Sequence, residues 1–457
     1  MTKFKFKIIE GKSLLTLILI LPLMLVNSCT SKRGYQAHNI NYVYDTKDLA
    51  LRPNFKVFHV NDTLTKVYYR VNSNNLLYMR ESEGQPYKAS FSLHYSLVSS
   101  FEIINILDSG KFTFSDREDA PPKKAIIGSF DVKTSAETPP DCVLRILMTD
   151  KNRQVNFENF LRIEKSERIN SQKFLMRDTL GNILFKNHIP TNIPFKIDRG
   201  SIRASEYFVS FYKRNFPLAL PPYSSSSPES FELDPDTTFK MDANSNISFK
   251  ENGFYHFRVD TNSWDGFTVY SFYNEFPFIA KKSQLGHPIS YLTIKREFEK
   301  IVSTGEKSNT LKKTVDEFWL ERSGSMERSK ILINAYYSRV QEANIYFSSY
   351  LEGWKTDRGI IYVIYGPPDK VYRSTGGESW IYGEETSSLS YYFSFLKVTN
   401  PFSDNDYSLN RNSTYRYGWG QAIESWRNGR VYNSKDIKRE QDESDNNSFR
   451  QRPPYRY

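Results

Sequence analysis

From residue 55 to residue 278 the chain is divided into short runs with apolar side chains at every second position or throughout, and from Pro288 that period gives way to a helical one. A strand points successive side chains to opposite faces, whereas a helix returns to the same face after three or four residues, so one chain switches from sheet to helix. Runs 66–71, 89–95, 126–132 and 143–148, separated by turn residues, belong to about seven strands in roughly 110 residues and predict a β-sandwich over 54–168. Runs 174–177, 183–185, 207–212, 247–249, 254–259 and 267–270 predict a second sandwich over 169–280, with 178–182 as a hairpin turn and the Pro/Ser patch 221–228 as an internal loop. Such modules act as spacers or as binding surfaces. Aromatic residues make up 15% of the chain and suit half-buried pleated surfaces. With 39% hydrophobic residues and a mean hydropathy of −0.58, neither a polytopic membrane protein nor a disordered chain fits.

Past residue 288, Ile294, Phe298 and Ile301 repeat at helical spacing, as do Leu311, Val315 and Phe318. Leu332, Tyr336, Val340, Ala343, Phe347 and Leu351 run down one face of a longer helix. These helices lead to a turn at 353–359 and an apolar run at 360–365, read as a buried strand that stops at Gly366-Pro367-Pro368-Asp369. The fold class is therefore mainly β with an α+β C-terminal domain: two tandem β-sandwich domains, then a helix-plus-sheet domain over 283–432. Residues 433–457 have the composition of a disordered tail, whose aromatic-basic end at 450–457 suits a docking peptide.

The N-terminus fixes the compartment. Lys3, Lys5, Lys7 and Lys12 precede an apolar stretch over 14–26 that is short for a transmembrane span, so 1–28 reads as a secretory signal. It ends in Val26-Asn27-Ser28-Cys29, which resembles a bacterial lipobox, and that resemblance makes Cys29 the lipidated first residue of the mature chain. The alternative is a signal anchor with an incidental cysteine. Several acyl chains, at about 0.8 kcal/mol per buried CH₂, hold a protein on a membrane essentially irreversibly. The polar segment 29–53 is expected to be a tether. Thr30-Ser31-Lys32-Arg33 lacks acidic residues of the kind found in surface-export signals, which favours an outer-membrane lipoprotein on the periplasmic face.

Charge and composition narrow the chemistry. The formal net charge is +10, and setting aside the lysines and Glu10 of the signal leaves 58 basic and 51 acidic residues, a scattered excess that does not suit nucleic-acid binding. With Cys29 lipidated, Cys142 is left in an apolar run as a buried thiol, and no intrachain disulfide or cysteine-rich zinc site can form. The six histidines are isolated in sequence and show no HExxH spacing. No GxSxG, SxxK, P-loop or GxGxxG motif is present, and Gly366-Pro367-Pro368 cannot cradle phosphate because prolines lack N–H donors. Neither a metal nor a cofactor is implied.

The stretch Gly353-Trp354-Lys355-Thr356-Asp357 resembles the GWxTD domain, a family named for this pentapeptide and found in envelope lipoproteins of certain Gram-negative bacteria. Phe318-Trp319, Tyr337-Ser338-Arg339-Val340, Asn344, Phe347 and Glu378-Ser379-Trp380-Ile381-Tyr382 extend the resemblance over about 283–432. The resemblance implies no established biochemical activity. Read as residues, Gly353 and Gly359 are expected at φ values that other residues resist, and Trp354 anchors the junction. Thr356 and Asp357 suit backbone capping, while Asp357 and Arg358 pair with each other or with Arg339 and Asp369. Together with Gly366 and Pro368 these residues form either a structural corner or a small polar docking pocket. No nucleophile–base pair completes a catalytic set there. Thr63, Thr179 and Thr237 each follow an Asp in a way that resembles a periplasmic O-glycosylation acceptor, or are plain turn chemistry.

The sequence thus leads to a non-enzymatic outer-membrane lipoprotein, an accessory or scaffold subunit of an envelope assembly for secretion, outer-membrane-protein insertion or nutrient uptake. A carbohydrate- or peptide-binding module with exposed aromatic platforms is the runner-up, and a hydrolase the third reading. The expected partners are the membrane, through the lipid, and an envelope protein complex; a small-molecule ligand is left open.

Overall fold

A computed structural model describes residues 34–45, 49–135, 138–213, 216–226, 234–304, 309–385 and 390–437. Cys29, the signal 1–28 and most of the tail lie outside the described residues.

The first sandwich contains β1 (Asn54–His59), β2 (Leu64–Asn72), β3 (Tyr87–Val98), β4 (Ile106–Glu118), β5 (Ala125–Lys133), β6 (Asp141–Asp150) and β7 (Val155–Glu164). All pairings are antiparallel, in a sheet ordered β1-β2-β5 and a sheet ordered β4-β3-β6-β7. Val67, Tyr69 and Val71 of β2 face Phe91, Leu93, Leu144 and Ile146 of the second sheet across one core. The alternation that predicts these strands arises because each sheet buries one face only. Cys142 is a buried free thiol, and burial pushes its pKa up to about 11.

The second sandwich is smaller on one side. A pair formed by β8 (Leu175–Asp178) and β9 (Phe195–Asp198) covers a sheet ordered β11-β10-β12-β13, built from β10 (Glu206–Tyr212), β11 (Thr237–Asp242), β12 (Gly253–Arg258) and β13 (Gly266–Ser271). The hairpin turn forms, with Gly181 at φ 86° and the Asp178 carboxylate accepting the Leu180 and Asn182 amides. The expected strands 183–185 and 247–249 shrink to single bridges, Ile183 to Arg177 and Ile247 to Phe195. Each sandwich carries the same buried device. His59 and His256 bond a threonine hydroxyl on the adjacent strand, Thr65 or Thr268, and a backbone carbonyl, Glu164 at the end of β7 or Trp264 in a loop.

Helices α1 (Lys295–Val302), α2 (Asn309–Ser323) and α3 (Met326–Phe347) form where predicted, and Leu332, Tyr336, Val340, Ala343 and Phe347 are all buried, but Ile294 is exposed ahead of α1 and Leu351 lies past the end of α3, half-buried. The run 360–365 departs from expectation: it lies in helix α4 (Asp357–Tyr365), not a strand. Every side chain from Arg358 to Tyr365 is buried, so no polar face was available to betray the period. The ends decide instead: the Thr356 hydroxyl accepts the Gly359 amide as an N-cap, and Gly366 at φ 87° closes the last turn. An antiparallel meander, β14 (Lys370–Ser374), β15 (Gly377–Tyr382), β16 (Tyr391–Lys397) and β17 (Tyr407–Leu409), shares the core with α4, and α5 (Tyr415–Arg427) completes the domain.

The expected tether differs most. Ile40 and Tyr44 are buried in the C-terminal core, and the Ile40 amide donates to the Val371 carbonyl at 2.9 Å. Segment 34–45 is thus a strap that runs across the first sandwich, where the Gln36 amide bonds Phe101 O, onto β14. The Pro/Ser loop also leaves its sandwich, since the Ala219 amide donates to Lys355 O and the Asn412 amide to Pro222 O. At the other end Ile437 is buried and Ser434 bonds Asp369, so the described start of the expected tail is folded.

Candidate functional site: the signature corner

The corner begins where α3 ends. The Asn344 side chain accepts the Trp354 amide at 3.4 Å and donates to Pro277 O at 3.1 Å, while the Ser348 hydroxyl accepts the Gly353 amide at 2.9 Å. A 3₁₀ turn at Gly353–Lys355 then leads into α4. The glycines are needed for contact, not for unusual φ: neither Gly353 nor Gly359 is left-handed, contrary to expectation. A Cβ at Gly353 would lie 1.8 Å from Ala343 O, and one at Gly359 would lie 1.8 Å from Gly353 O. Gly366 is the left-handed residue, and its Cα faces the Arg339 guanidinium. Trp354 is 5% exposed and its carbonyl accepts the Tyr291 hydroxyl. The anchoring role expected of it matches this burial.

The charged signature residues do not pair with one another as expected. Helix geometry sends neighbours in sequence in different directions, and each reaches a different partner. Asp357 receives Arg411 Nη1 at 3.0 Å, a second bond from Nη2, and the Leu409 amide at 2.7 Å. Arg358 turns to Glu378, 3.4 Å away, and lies over the Tyr407 ring. Among the described residues no carboxylate lies at ion-pair distance from Arg339: it donates to Ile364 O at 3.0 Å and Tyr432 O at 2.6 Å, and burial lowers its pKa to about 10. Asp369 is exposed and accepts the Gly383 amide and the Ser434 hydroxyl, while Pro368 is buried behind it.

The centre of the buried charge is Glu378, with a fully buried side chain. Arg373 Nη2 lies 2.8 Å away, the Tyr44 hydroxyl donates to both carboxylate oxygens at 2.9 Å, and Trp380 Nε1 donates at 3.1 Å. Burial opposes the carboxylate, but Arg373 and Arg358 outweigh it and hold the pKa at about 2. Asp406 beside this cluster goes the other way: burial raises it to about 6, against the pull of Arg358.

Sequence reasoning missed Glu378, Arg373, Arg411 and Tyr44 as members. Glu378 stood in the quoted Glu-Ser-Trp-Ile-Tyr run, and its alternation with exposed Ser379 on β15 was the available signal. Nothing in the sequence joins Tyr44 to a residue more than 300 positions away. Thr63, Thr179 and Thr237 lie far from the corner and are exposed. Asp178 caps its hairpin turn, Asp236 accepts the Lys213 amide from 23 residues away, and at the first site Asn61 rather than Asp62 accepts the Thr63 and Leu64 amides.

Chemically this arrangement orients and joins elements. The side chains of Asp357, Arg358 and Glu378 bond groups of the same chain, Arg411 Nε is buried without a partner, and among the described residues no Ser, Cys or Thr nucleophile meets a histidine there. Among the described residues no three His, Cys, Asp or Glu side chains gather as metal ligands. The corner defines a joint: the strap 34–45, the loop 216–226 and residues 273–277 converge on one helix–sheet domain.

Such a joint, closed by a Gly-Trp-Lys-Thr-Asp turn, is the class of structure to which this C-terminal region belongs. Residues 253–428 match the family model of the GWxTD domain, and the chain carries a GWxTD domain. The matched stretch starts at Gly253, the first residue of β12, upstream of the boundary read from the helices. No curated protein matches the chain.

Proposed function

We propose that this chain is an outer-membrane lipoprotein, anchored through Cys29 on the periplasmic face, that acts without catalysis as an accessory or scaffold subunit of an envelope assembly. The observation that carries this reading is the strap. Gly34 is already buried, against Phe101 and Glu102, and only five residue steps separate it from Cys29. Five steps span at most about 18 Å, so a lipid on Cys29 seats the folded body close to the membrane surface, within reach of integral membrane partners. Secretion, outer-membrane-protein insertion and nutrient uptake are the machines that place partners there. The signature corner supports the same reading, because its groups join modules.

The aromatic platform expected of a carbohydrate-binding sandwich has little support: among the described residues of 54–280 the exposed large aromatics are Phe239 on β11 and Phe278 past the last strand. The test is Cys29→Ala with acyl labelling, fractionation and cross-linking mass spectrometry from intact envelopes. Loss of label, release from the membrane and loss of cross-linked partners is the expected result. Retention on stripped membranes would overturn the lipid anchor, and an absence of reproducible cross-links to envelope proteins would overturn the scaffold role.

A further inference from the structure

A cavity of about 690 Å³ opens where both sandwiches and the GWxTD domain meet, between β1, the end of β7, the loops at 168–172 and 185–188, β13 and the β16–β17 loop. Its size falls within the range of small-molecule sites, and junctions between modules are a common place for them.

The charges that line it are unevenly matched. Arg168 is paired with Asp265 at 2.6 Å and Arg162 with Glu164 at 3.2 Å. That leaves Lys56 and Lys397 in the wall and Lys186 at the exposed rim, against Asp404, which is already bonded by the Ser171 hydroxyl. Lys56 Nζ donates to Asn187 Oδ1 at 2.6 Å, a neutral partner. Among the described residues none of these lysines has a carboxylate at ion-pair distance. Burial lowers Lys56 to about 8 and lowers Lys397 too, so the loss of water outweighs the pull of Asp404 on both.

Another part of the lining is aromatic. His188 stacks parallel to Phe272 and sits 4.6 Å from Phe276, with Trp264 and Phe402 also on the lining. Among the described residues no side chain bonds either buried ring nitrogen of His188, and the Tyr270 backbone is the polar group that reaches the ring. Buried polar atoms are rarely left so. A lining that combines ammonium groups, aromatic rings and an imidazole suits a ligand with an anionic group and a flat or ring-shaped body.

We propose that this inter-module cavity binds a small organic anion, a carboxylate or phosphate carried on a ring, with the charge on Lys56 and Lys397 and the ring against the aromatic wall. The proposal is independent of the membrane anchor. The test is calorimetric titration of the full chain in detergent with glucuronate, glucose 6-phosphate and uncharged glucose. One anion or both should bind saturably, with glucose at least about 10-fold weaker, and the better anion identifies the headgroup. Lys56→Gln and Lys397→Gln should each weaken binding by about 10-fold or more, Lys56→Arg should restore most of it, and Lys240→Gln on the edge strand β11, outside the cavity lining, should leave it unchanged. Melting curves of the ligand-free variants should stay near the parent. No saturable binding of either anion, equal binding of glucose, or full affinity in both Lys→Gln variants would overturn the proposal.

Discussion

Glu378 shows what a single residue contributes when its counter-ions are fixed. Its charge is compensated by Arg358 and Arg373 and bonded by Tyr44 and Trp380, so removing it leaves two arginines in a largely buried site. Glu378→Gln should cost about 3–5 kcal/mol in chemical denaturation, the range for breaking a buried pair from one side. The pH dependence follows from its depressed pKa: the contribution is present above the ordinary carboxylate value of 4.5 and is lost as pH falls toward 2. Asp406 has the opposite sign. Its pKa rises from 3.8 to about 6 on folding, so its protonated form favours the native state and stability declines as pH rises through that interval. Asp406→Asn should flatten that decline in denaturation midpoints measured from pH 4 to 7. At Asp357 the bidentate Arg411 contact predicts a loss of about 1–3 kcal/mol for Asp357→Asn. An unchanged melting curve would return this residue to the surface of a docking site.

At the scale of elements, the turn between α3 and α4 depends on backbone approach. Gly353→Ala and Gly359→Ala each drive a methyl into a carbonyl oxygen 1.8 Å away. Both are backbone contacts and cannot swing aside, so each variant should lose at least about 3 kcal/mol or fail to fold, whereas Gly376→Ala, in open space on the β14–β15 turn, should melt within about 2 °C of the parent. Helix α4 also shows why a buried run resists sequence reading. Ile360-Ile361-Tyr362-Val363-Ile364-Tyr365 has strand-like composition and no exposed face. The helix was legible only from its punctuation, a Thr N-cap before the run and Gly-Pro after it.

For the whole molecule the strap couples the N-terminus to the C-terminal domain. A chain beginning at residue 46 would leave Glu378 without its Tyr44 donor and open the core at Ile40. It should melt several degrees below one beginning at residue 34, and the difference should be smaller in Tyr44→Phe, which keeps the ring and removes the hydroxyl. Limited proteolysis should likewise spare 34–45, against the tether first expected there; early cleavage at Tyr42–Tyr44 would contradict the strap.

The order of modules was readable along the chain, because period two and period 3.6 follow from which face of an element meets the core. So were the long helices, the β15 strand and the pentapeptide that marks the GWxTD domain. Tertiary structure alone decided which charges pair, since Asp357 and Arg358 are adjacent in sequence yet turn to Arg411 and Glu378. It alone decided that a polar segment near the N-terminus closes a core more than 300 residues away. Local periodicity reports the environment of a residue's own turn or strand, whereas counter-ion choice and strap docking depend on which distant surfaces folding brings together, and no local pattern encodes that.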